Sequence, residues 1–415
     1  MKTKHLLLSA FFLICLFSCN NNDDEDLDLV TVAKPEFVSK SQFRKMVDIK
    51  SPESIKQSGK IYAYGNYIFV NDLDRGVHII DNQNPSNPQA IKFIKIPANE
   101  DISIKNNYLY ADSATDLLVF DISNINNIQL VERLEDVFNI YDYRVPIEAV
   151  ATDYGDFDWE NDIIIGWELK KEKRENVDEL IFVDRMFNDA VMAASVESAV
   201  GVGGSLARFQ IVGTYLYTVG SYSMTVFNIQ NLSNPVLEKT QHAGWNIETM
   251  FAANDYLYLG STNGMYIYDL VNPASPEYVS DFTHWEGCDP VVVDGDYAYL
   301  TLRGGNLCGQ LESVLEVIDI SDKTQPTLAK RYTLENPYGL GIKGDMLFVC
   351  DGSAGLKLFD RETPVNLNLV RTIENIQATD VIPLPNSLVM IGDNTLYQYK
   401  YLENNISFLS SYKLN

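Results

Sequence analysis

The chain has 415 residues, of which 46% are apolar, and its formal net charge is −25. This excess of acid argues against binding to nucleic acid, and against electrostatic docking on anionic lipid, because both need clustered Lys and Arg. The apolar content is enough for a large buried core, and the length alone would fit two or three domains.

The first eighteen residues have the features of an export signal. Lys2 and Lys4 precede an apolar stretch, residues 6–16, which is too short to span a bilayer as a helix. The small residue Ser18 directly before Cys19 resembles a bacterial lipobox, in which the cysteine is lipidated and becomes the mature N-terminus. We therefore predict a signal peptide at 1–18 and a lipid anchor at Cys19. An ordinary secretory signal with an incidental cysteine is the alternative.

A short acidic segment follows the predicted lipidation site. Residues 20–28 are almost all Asn, Asp and Glu, and such a segment buries too little apolar surface to fold. We predict a flexible tether at 19–37. An acidic run after the cysteine resembles the export signal of surface lipoproteins, and residue 20 is not the Asp associated with inner-membrane retention. This predicts an outer-membrane protein that faces outward; a plain solvated spacer is an equally open interpretation.

A repeated unit dominates the remaining chain. Each of seven copies has a two-residue turn followed by an apolar strand, and these strands start at Tyr67, Tyr108, Tyr215, Tyr256, Tyr297, Met346 and Ser387. A second, alternating strand then ends at Asp81, Asp121, Asn228, Asp269, Asp319, Asp360 and Lys400. Four of the six intervals between copies are 41 residues. This period is typical of a four-stranded blade and predicts an all-β fold, a β-propeller spanning 38–415.

Two intervals are longer than the others. The interval from Tyr297 to Met346 is 49 residues, and the extra length lies between the second and third strands of that blade. The interval from Tyr108 to Tyr215 is 107 residues. We predict an insertion around 139–203 that decorates a seven-bladed propeller, although an eighth, stretched blade could also lie there.

Several segments are similar to the LVIVD-repeat family of lipoproteins. Residues 77–81, 118–121 and 315–319 read VHIID, LVFD and LEVID, and asparagine-proline turns follow the repeats. The resemblance covers about residues 60–400. It implies a β-propeller on the bacterial envelope, in a family without established catalytic residues. Gln398 and Lys400 depart from the repeat pattern, which predicts a degenerate blade where the ring closes.

Candidate binding residues cluster on one face of the predicted propeller. In a propeller, the loops that lead into the inner strands lie on the same face as the loops that join the second and third strands; we call this the loop face. The repeat places four charged residues near the starts of inner strands, around the mouth of the channel: Arg208, Glu248, Asp289 and Asp380. These residues either bind a ligand as a ring or cap turns and pair with one another.

Aromatic and basic residues fall on the same rim: His242, Trp245, His284, Trp285 and Arg303. Indole faces beside carboxylates suit sugar rings, whereas the alternative is that the tryptophans pack between blades. We predict a non-catalytic protein that binds a glycan, peptide or protein partner. There are two alternatives: a glycan-active enzyme that uses the carboxylates at the channel mouth, and an accessory subunit of an envelope complex.

No cofactor is predicted. The chain lacks a G-x-S-x-G elbow, an H-E-x-x-H motif and a P-loop. His242 and His284 hold similar places in adjacent blades, but their spacing is not diagnostic of a metal site. The acidic segment 153–162 lacks the glycine and the terminal glutamate of an EF-hand loop, so we interpret it as a solvated turn.

Three cysteines remain after the signal. In an oxidising compartment one disulfide and one thiol are expected. Cys288 and Cys308 belong to the same blade, so we predict a disulfide between them and a buried thiol at Cys350. Pairing of Cys308 with Cys350 is the alternative.

Overall fold

The computed structural model describes residues 29–138, 145–173, 202–262, 264–284, 290–304 and 312–414. The predicted signal peptide, Cys19, Trp285, Cys288, Asp289 and Cys308 lie outside these residues. The chain divides into two compact units. The smaller contains residues 1–40 and 143–184, and the larger contains residues 41–142 and 185–415.

Seven antiparallel sheets in the larger unit each contain four strands that are consecutive in the chain. We number these blades 1 to 7; in each, the first strand is innermost. Blade 1 consists of β3 (Ser58–Tyr64), β4 (Tyr67–Asp72), β5 (Gly76–Asp81) and β6 (Gln89–Lys95). Blade 2 consists of β7 (Ile102–Lys105), β8 (Tyr108–Ser113), β9 (Asp116–Asp121) and β10 (Gln129–Leu134). Blade 3 consists of β14 (Phe209–Val212), β15 (Tyr215–Val219), β16 (Ser223–Asn228) and β17 (Val236–His242). Blade 4 consists of β18 (Ile247–Ala253), β19 (Tyr256–Ser261), β20 (Gly264–Asp269) and β21 (Glu277–Thr283).

The last three blades repeat the same arrangement. Blade 5 consists of β22 (Val291–Asp294), β23 (Tyr297–Leu302), β24 (Val314–Asp319) and β25 (Thr327–Thr333). Blade 6 consists of β26 (Leu340–Lys343), β27 (Met346–Cys350), β28 (Leu356–Asp360) and β29 (Asn368–Ile373). Blade 7 consists of β30 (Asp380–Pro383), β31 (Ser387–Gly392), β32 (Thr395–Leu402) and β33 (Asn405–Lys413). The predicted all-β propeller of four-stranded blades is thereby confirmed.

Both sequence landmarks have a local structural cause. In six blades the turn between the first two strands uses positive φ, which Gly and Asn tolerate, at Gly65, Asn106, Gly213, Asn254, Gly295 and Gly344. In the same six blades the side chain that ends the third strand accepts a hydrogen bond from the backbone N–H two residues later, and these side chains belong to Asp81, Asp121, Asn228, Asp269, Asp319 and Asp360. Such bonds mimic a backbone turn and start the loop to the outer strand.

Tyrosines of the second strand connect neighbouring blades. Tyr110 and Tyr217 are fully buried, and each hydroxyl donates at 2.8 Å to a carbonyl in the next blade, that of Leu232 and Pro273, respectively. A buried hydroxyl needs such a partner. The repeated tyrosine therefore both fills the core between blades and fixes their relative position.

The ring closes without a strand shared between the first and last blades in the described residues. Instead, the Ser58 N–H donates to Asn394 Oδ1 at 2.9 Å, and Gln398 Nε2 donates to Asn82 Oδ1 at 2.7 Å. The departure of Gln398 from the repeat pattern thus has a cause, because this side chain joins blade 7 to blade 1. Blade 1 also gains an outer strand, β2 (Asp48–Lys50), and a short inner strand, β13 (Val202–Gly203).

The smaller unit contains a three-stranded sheet. Its strands are β1 (Leu29–Ser39), β11 (Ala151–Thr152) and β12 (Asp162–Lys173), with β1 in the centre. Helix α1 (Lys40–Arg44), which follows β1 in the chain, and the 3-10 turn η1 (Ile125–Asn127), which precedes β10, belong to the larger unit apart from Lys40. The prediction that the flexible tether extends to residue 37 is wrong from Leu29 onward, because Val30, Val32 and Ala33 are buried within this sheet.

The long interval from Tyr108 to Tyr215 contributes β11 and β12 in its described part. Both strands pair with β1, so they do not form a further four-stranded blade. This agrees with an insertion. The preference for seven blades over eight stays a prediction for the whole chain, since residues 174–201 lie outside the described part.

Candidate functional site

Residues 202–208, which we call the plug, occupy the centre of the ring. β13 pairs with β3 through Val202 and Gly203, and residues 203–208 are all buried. Hydrogen bonds then join the plug to the inner strands of blades 1, 2, 4, 6 and 7, before the chain continues into the inner strand of blade 3. The residues that make these bonds are Ile61, Asp101, Met250, Leu340 and Asp380. A segment that reaches six inner strands must lie across the central channel.

Asp380 holds the plug against blade 7. Its Oδ1 accepts the N–H groups of Ser205 at 2.9 Å and Val381 at 2.8 Å. Its Oδ2, which is also buried, has no hydrogen-bond partner among the described residues, and a Cβ at Gly204 would lie 1.9 Å from it. Burial raises the pKa of Asp380 well above its usual value. This predicted rim residue is therefore in contact with the plug rather than with solvent.

Arg208 ends the plug among charges of blades 1 and 2. Its guanidinium pairs with Glu100, and its backbone N–H donates to Asp101. Lys60 Nζ lies 3.5 Å from Asp101 Oδ2. Burial raises the pKa of Asp101 and lowers that of Lys60. The predicted site residue Arg208 thus belongs to a buried charge network.

The residues of this network share one position in the sequence repeat. Lys60, Asp101, Arg208 and Asp380 each stand five residues before the first residue of the blade's first hairpin turn. Reading this column across all blades would have found Lys60 and Asp101 as well. The plug residue Ser205, whose hydroxyl accepts the Leu340 N–H at 2.7 Å, has no equivalent signal because it lies outside the repeat.

Asp112, at the end of the second strand of blade 2, borders the same network. Its Oδ1 accepts hydrogen bonds from the N–H groups of Glu100 and Asp101 and from Asn99 Nδ2. Burial and, second, the negative charge of Glu100 raise the pKa of Asp112 to about 7. This carboxyl group therefore holds its proton more tightly in the folded protein than in the unfolded chain.

We expect Asp112→Asn to flatten the pH dependence of stability. A pKa raised on folding means that the wild type is most stable below about pH 4 in this respect and loses that stability as the pH rises to about 7. The amide keeps the Oδ1 acceptor but cannot ionise. As the pH rises from about 4 to about 7, the free energy of unfolding of the variant should increase by about 2 kcal/mol relative to that of the wild type, a value reduced for partial solvent access. Urea unfolding at pH 4, 5.5 and 7.5 measures the difference; a constant offset would contradict the assignment.

Glu248 is buried within blade 4. It is the extra residue at the irregular pairing of β18 with β19, and it is 1% exposed. At the loop face, the guanidinium of Arg303 stacks over the Tyr338 ring at 4.2 Å, and Arg303 is also buried. Both predicted residues therefore occur at the expected ends of their strands, but they are enclosed rather than presented on the surface.

His284 forms part of a buried ion network. Its Nδ1 lies 3.0 Å from Glu316 Oε2, and Arg331 Nε donates to Glu316 Oε1 at 2.6 Å. Burial opposes ionisation of Glu316, but His284 and Arg331 more than offset it and lower the pKa of this carboxyl group. The predicted rim residue His284, which follows the outer strand of blade 4, thus binds a carboxylate of blade 5. Among the described residues no group of three His, Cys, Asp or Glu side chains is arranged to hold a metal ion.

Trp245 is a predicted site residue that reaches solvent, as is its neighbour His242. Trp245 is 60% exposed, on the loop between β17 and β18. The rings of Tyr222 and His242 lie 5.5 and 5.3 Å from its ring, both steeply inclined. The backbone N–H of Trp245 donates to the Tyr266 hydroxyl at 3.2 Å. Gly244, with a φ of 140°, packs so closely on the Tyr266 ring that a Cβ at this position would clash with it. The loop conformation is therefore defined, and it presents the indole on the loop face.

Of the predicted residues, the structure brings Arg208 and Asp380 together through the plug, whereas Trp245 lies apart from both in contact with His242. His284 and Arg303 belong to separate local networks. Cys350 is a buried free thiol, as predicted, and burial raises its pKa. Trp285, Asp289 and the proposed Cys288–Cys308 disulfide stay predictions. In the part of the chain that the structure describes, no helix is long and apolar enough to cross a membrane.

Comparisons with known proteins agree with this architecture. Residues 57–93, 98–136, 251–283 and 288–334 match the LVIVD repeat, and these segments correspond to blades 1, 2, 4 and 5. A candidate 6-phosphogluconolactonase from Bacteroides uniformis aligns with a TM-score of 0.53 at 12% identity, over 85% of this chain and 95% of that chain. This likeness concerns the fold alone.

Two further structures align less closely. BamB from Moraxella catarrhalis has a TM-score of 0.48 at 8% identity, over 90% of this chain and 99% of its own. PorZ, a surface component of the type-IX secretion system of Porphyromonas gingivalis, has a TM-score of 0.47 at 12% identity, over 87% of this chain and 39% of its own. A comparison with curated proteins found no match.

Proposed function

We propose that this LVIVD-repeat β-propeller is a non-catalytic binding protein, tethered by a lipid at Cys19 to the outer membrane and facing outward. In this proposal its loop face holds a glycan, peptide or protein partner against Trp245. The observation that carries the proposal is a contrast in exposure: Glu248 and Asp380 are almost fully buried, whereas Trp245 is 60% exposed on an ordered loop. A surface on which an aromatic ring is exposed and the carboxylates are buried suits ligand binding better than hydrolysis.

The arrangement around Trp245 favours a ligand with a flat apolar face. An indole surface stacks on the apolar side of a sugar ring or on an apolar peptide side chain. Tyr222 and His242 pack against the indole and restrict its rotamers, so that little side-chain entropy is lost when a ligand binds. Their hydroxyl and ring nitrogens can exchange hydrogen bonds with hydroxyl or amide groups of that ligand.

Replacing Trp245 by alanine is expected to weaken ligand binding at least tenfold, because the stacking surface is removed while the fold is untouched. A glycan and peptide array probed with the wild type identifies the ligand, and titration calorimetry then compares the variants. Phe408→Ala is the matched control, since Phe408 is 61% exposed on the outer strand β33, away from the loop face. Equal losses in both variants, or none in Trp245→Ala, would refute the proposal.

The enzymatic alternative has its own discriminating measurement. Glu248→Gln and Asp289→Asn should leave binding of an identified glycan intact. If turnover of that glycan is observed in the wild type and lost in these variants, the protein is a glycan-active enzyme. If no glycan is turned over by the wild type, the alternative is excluded. Capture of a stable protein complex through the N-terminal anchor would instead favour an accessory subunit.

A further inference from the structure

A second aromatic surface lies in the smaller unit, in the loop formed by residues 153–161, which we call the acidic aromatic loop. Trp159 at its tip is 62% exposed. The Trp159 ring lies 4.8 Å from the Tyr154 ring and 4.9 Å from the Phe157 ring. Trp167 of β12 lies 6.0 Å from Tyr154. The loop therefore has a small aromatic core of its own, with one indole facing solvent.

Hydrogen bonds hold the loop in one conformation. Asp158 Oδ1 accepts the N–H groups of Glu160 and Asn161, and its Oδ2 accepts Asn161 Nδ2. Asp153 accepts the Gly155 N–H, and it also pairs with Lys34 of β1 at 2.7 Å. The segment is thus the solvated turn that the sequence predicted, with its conformation fixed by these hydrogen bonds. A rigid loop keeps Trp159 exposed at a fixed position, which lowers the entropic cost of binding a partner.

The loop also carries charge that nothing in the described residues neutralises. Asp153 and Asp158 are used by Lys34 and by the backbone, but Asp156 and Glu160 are exposed and form no ion pair with any described residue. They stand on either side of Trp159 in the chain. With the net charge of −25, this surface attracts cations and gives a neutral sugar no comparable advantage.

We propose that the acidic aromatic loop is a second binding site, for a basic segment of a partner protein, in which an Arg or Lys side chain stacks on Trp159 between Asp156 and Glu160. An indole is the side chain that binds cations best through its face. A guanidinium can at the same time form paired hydrogen bonds with a neighbouring carboxylate. The site does not depend on the loop face, because all its residues belong to the smaller unit.

The test uses the full chain and a fluorescent nine-residue peptide of alternating Arg and Gly in 0.15 M salt, followed by anisotropy. Trp159→Ala should weaken binding at least tenfold, and Trp159→Phe by less, because a phenyl ring keeps part of the interaction. The double variant Asp156→Asn/Glu160→Gln should weaken binding at least tenfold and reduce its salt dependence.

Two controls match these variants. Glu362→Gln/Glu374→Gln removes the same charge from exposed residues of blade 6, and Phe408→Ala removes an equally exposed ring. Both should change the dissociation constant less than twofold. Equal weakening by the two double variants would mean that only the net charge attracts the peptide, and would overturn the proposal. A Trp159-dependent signal that appears with neutral oligosaccharides and not with the peptide would overturn it as well.

Discussion

Replacing Glu316 by alanine is expected to lower the free energy of unfolding by about 3–5 kcal/mol, among the largest effects of any single change in this chain. Glu316 is fully buried in the middle of blade 5, where it accepts hydrogen bonds from His284 and Arg331. Its removal takes the acceptor away from both side chains and leaves a cavity in the blade. Denaturant unfolding followed by far-UV circular dichroism measures the loss.

The same network predicts a pH dependence with a definite sign. The folded protein lowers the pKa of Glu316 from its ordinary value of 4.5, so the stabilisation is present above that value and is lost as the pH falls below it. The difference between the wild type and Glu316→Ala should therefore shrink in acid. Glu362→Ala, which removes an exposed glutamate from blade 6, is the control and should cost less than about 0.5 kcal/mol. A similar loss in both variants would contradict a specific buried network.

Gly204→Ala is expected to destabilise the protein by about 3 kcal/mol, because overpacking a filled core is costly. The added Cβ would lie 1.9 Å from Asp380 Oδ2, and the plug has little freedom to move since it is hydrogen-bonded on several sides. The backbone of Gly204 itself donates to the Ile61 carbonyl at 3.0 Å. Relieving the clash would therefore break contacts with blade 1 or blade 7, where the ring closes. Thermal unfolding should show a lower midpoint.

Gly220→Ala is the matched control for this change. The substitution is the same, but the nearest atom to the new Cβ is Ser223 Oγ at 3.4 Å, so the loss should be below about 1 kcal/mol. A second experiment combines Gly204→Ala with Asp380→Ala, which removes the clashing carboxylate. The double variant should be more stable than the sum of the single effects predicts. Additive losses would show that the two residues do not meet as described.

The predicted and observed sites differ for a definable reason. Repeat position predicted which side chains stand at the loop-face ends of the strands, and Arg208, Glu248, Asp380 and Trp245 all occur there. It did not predict which of them reach solvent. Exposure at that position depends on what covers the ring centre, and the plug that covers it comes from a segment outside the repeat.

The sequence also did not predict the side chains that the candidate residues contact. His284 binds Glu316, 32 residues away, because the third strand of blade 5 carries a carboxylate where blades 2 and 4 carry Leu118 and Tyr266. By sequence position His284 is equivalent to His242, since both follow an outer strand. In the structure the His242 ring packs edge-on against Trp245, whereas His284 is buried.

The sequence by itself determined the blade, because a blade is built from local interactions: hairpin turns at positive φ, side chains that cap the next turn, and alternating strands. Only the tertiary structure decided what occupies the middle of the ring and what remains on its surface. The plug meets Asp101, Met250, Leu340 and Asp380, which are brought together only once the blades have closed into a ring. A repeat pattern of 41 residues does not predict the contacts of a segment that occurs only once in the chain.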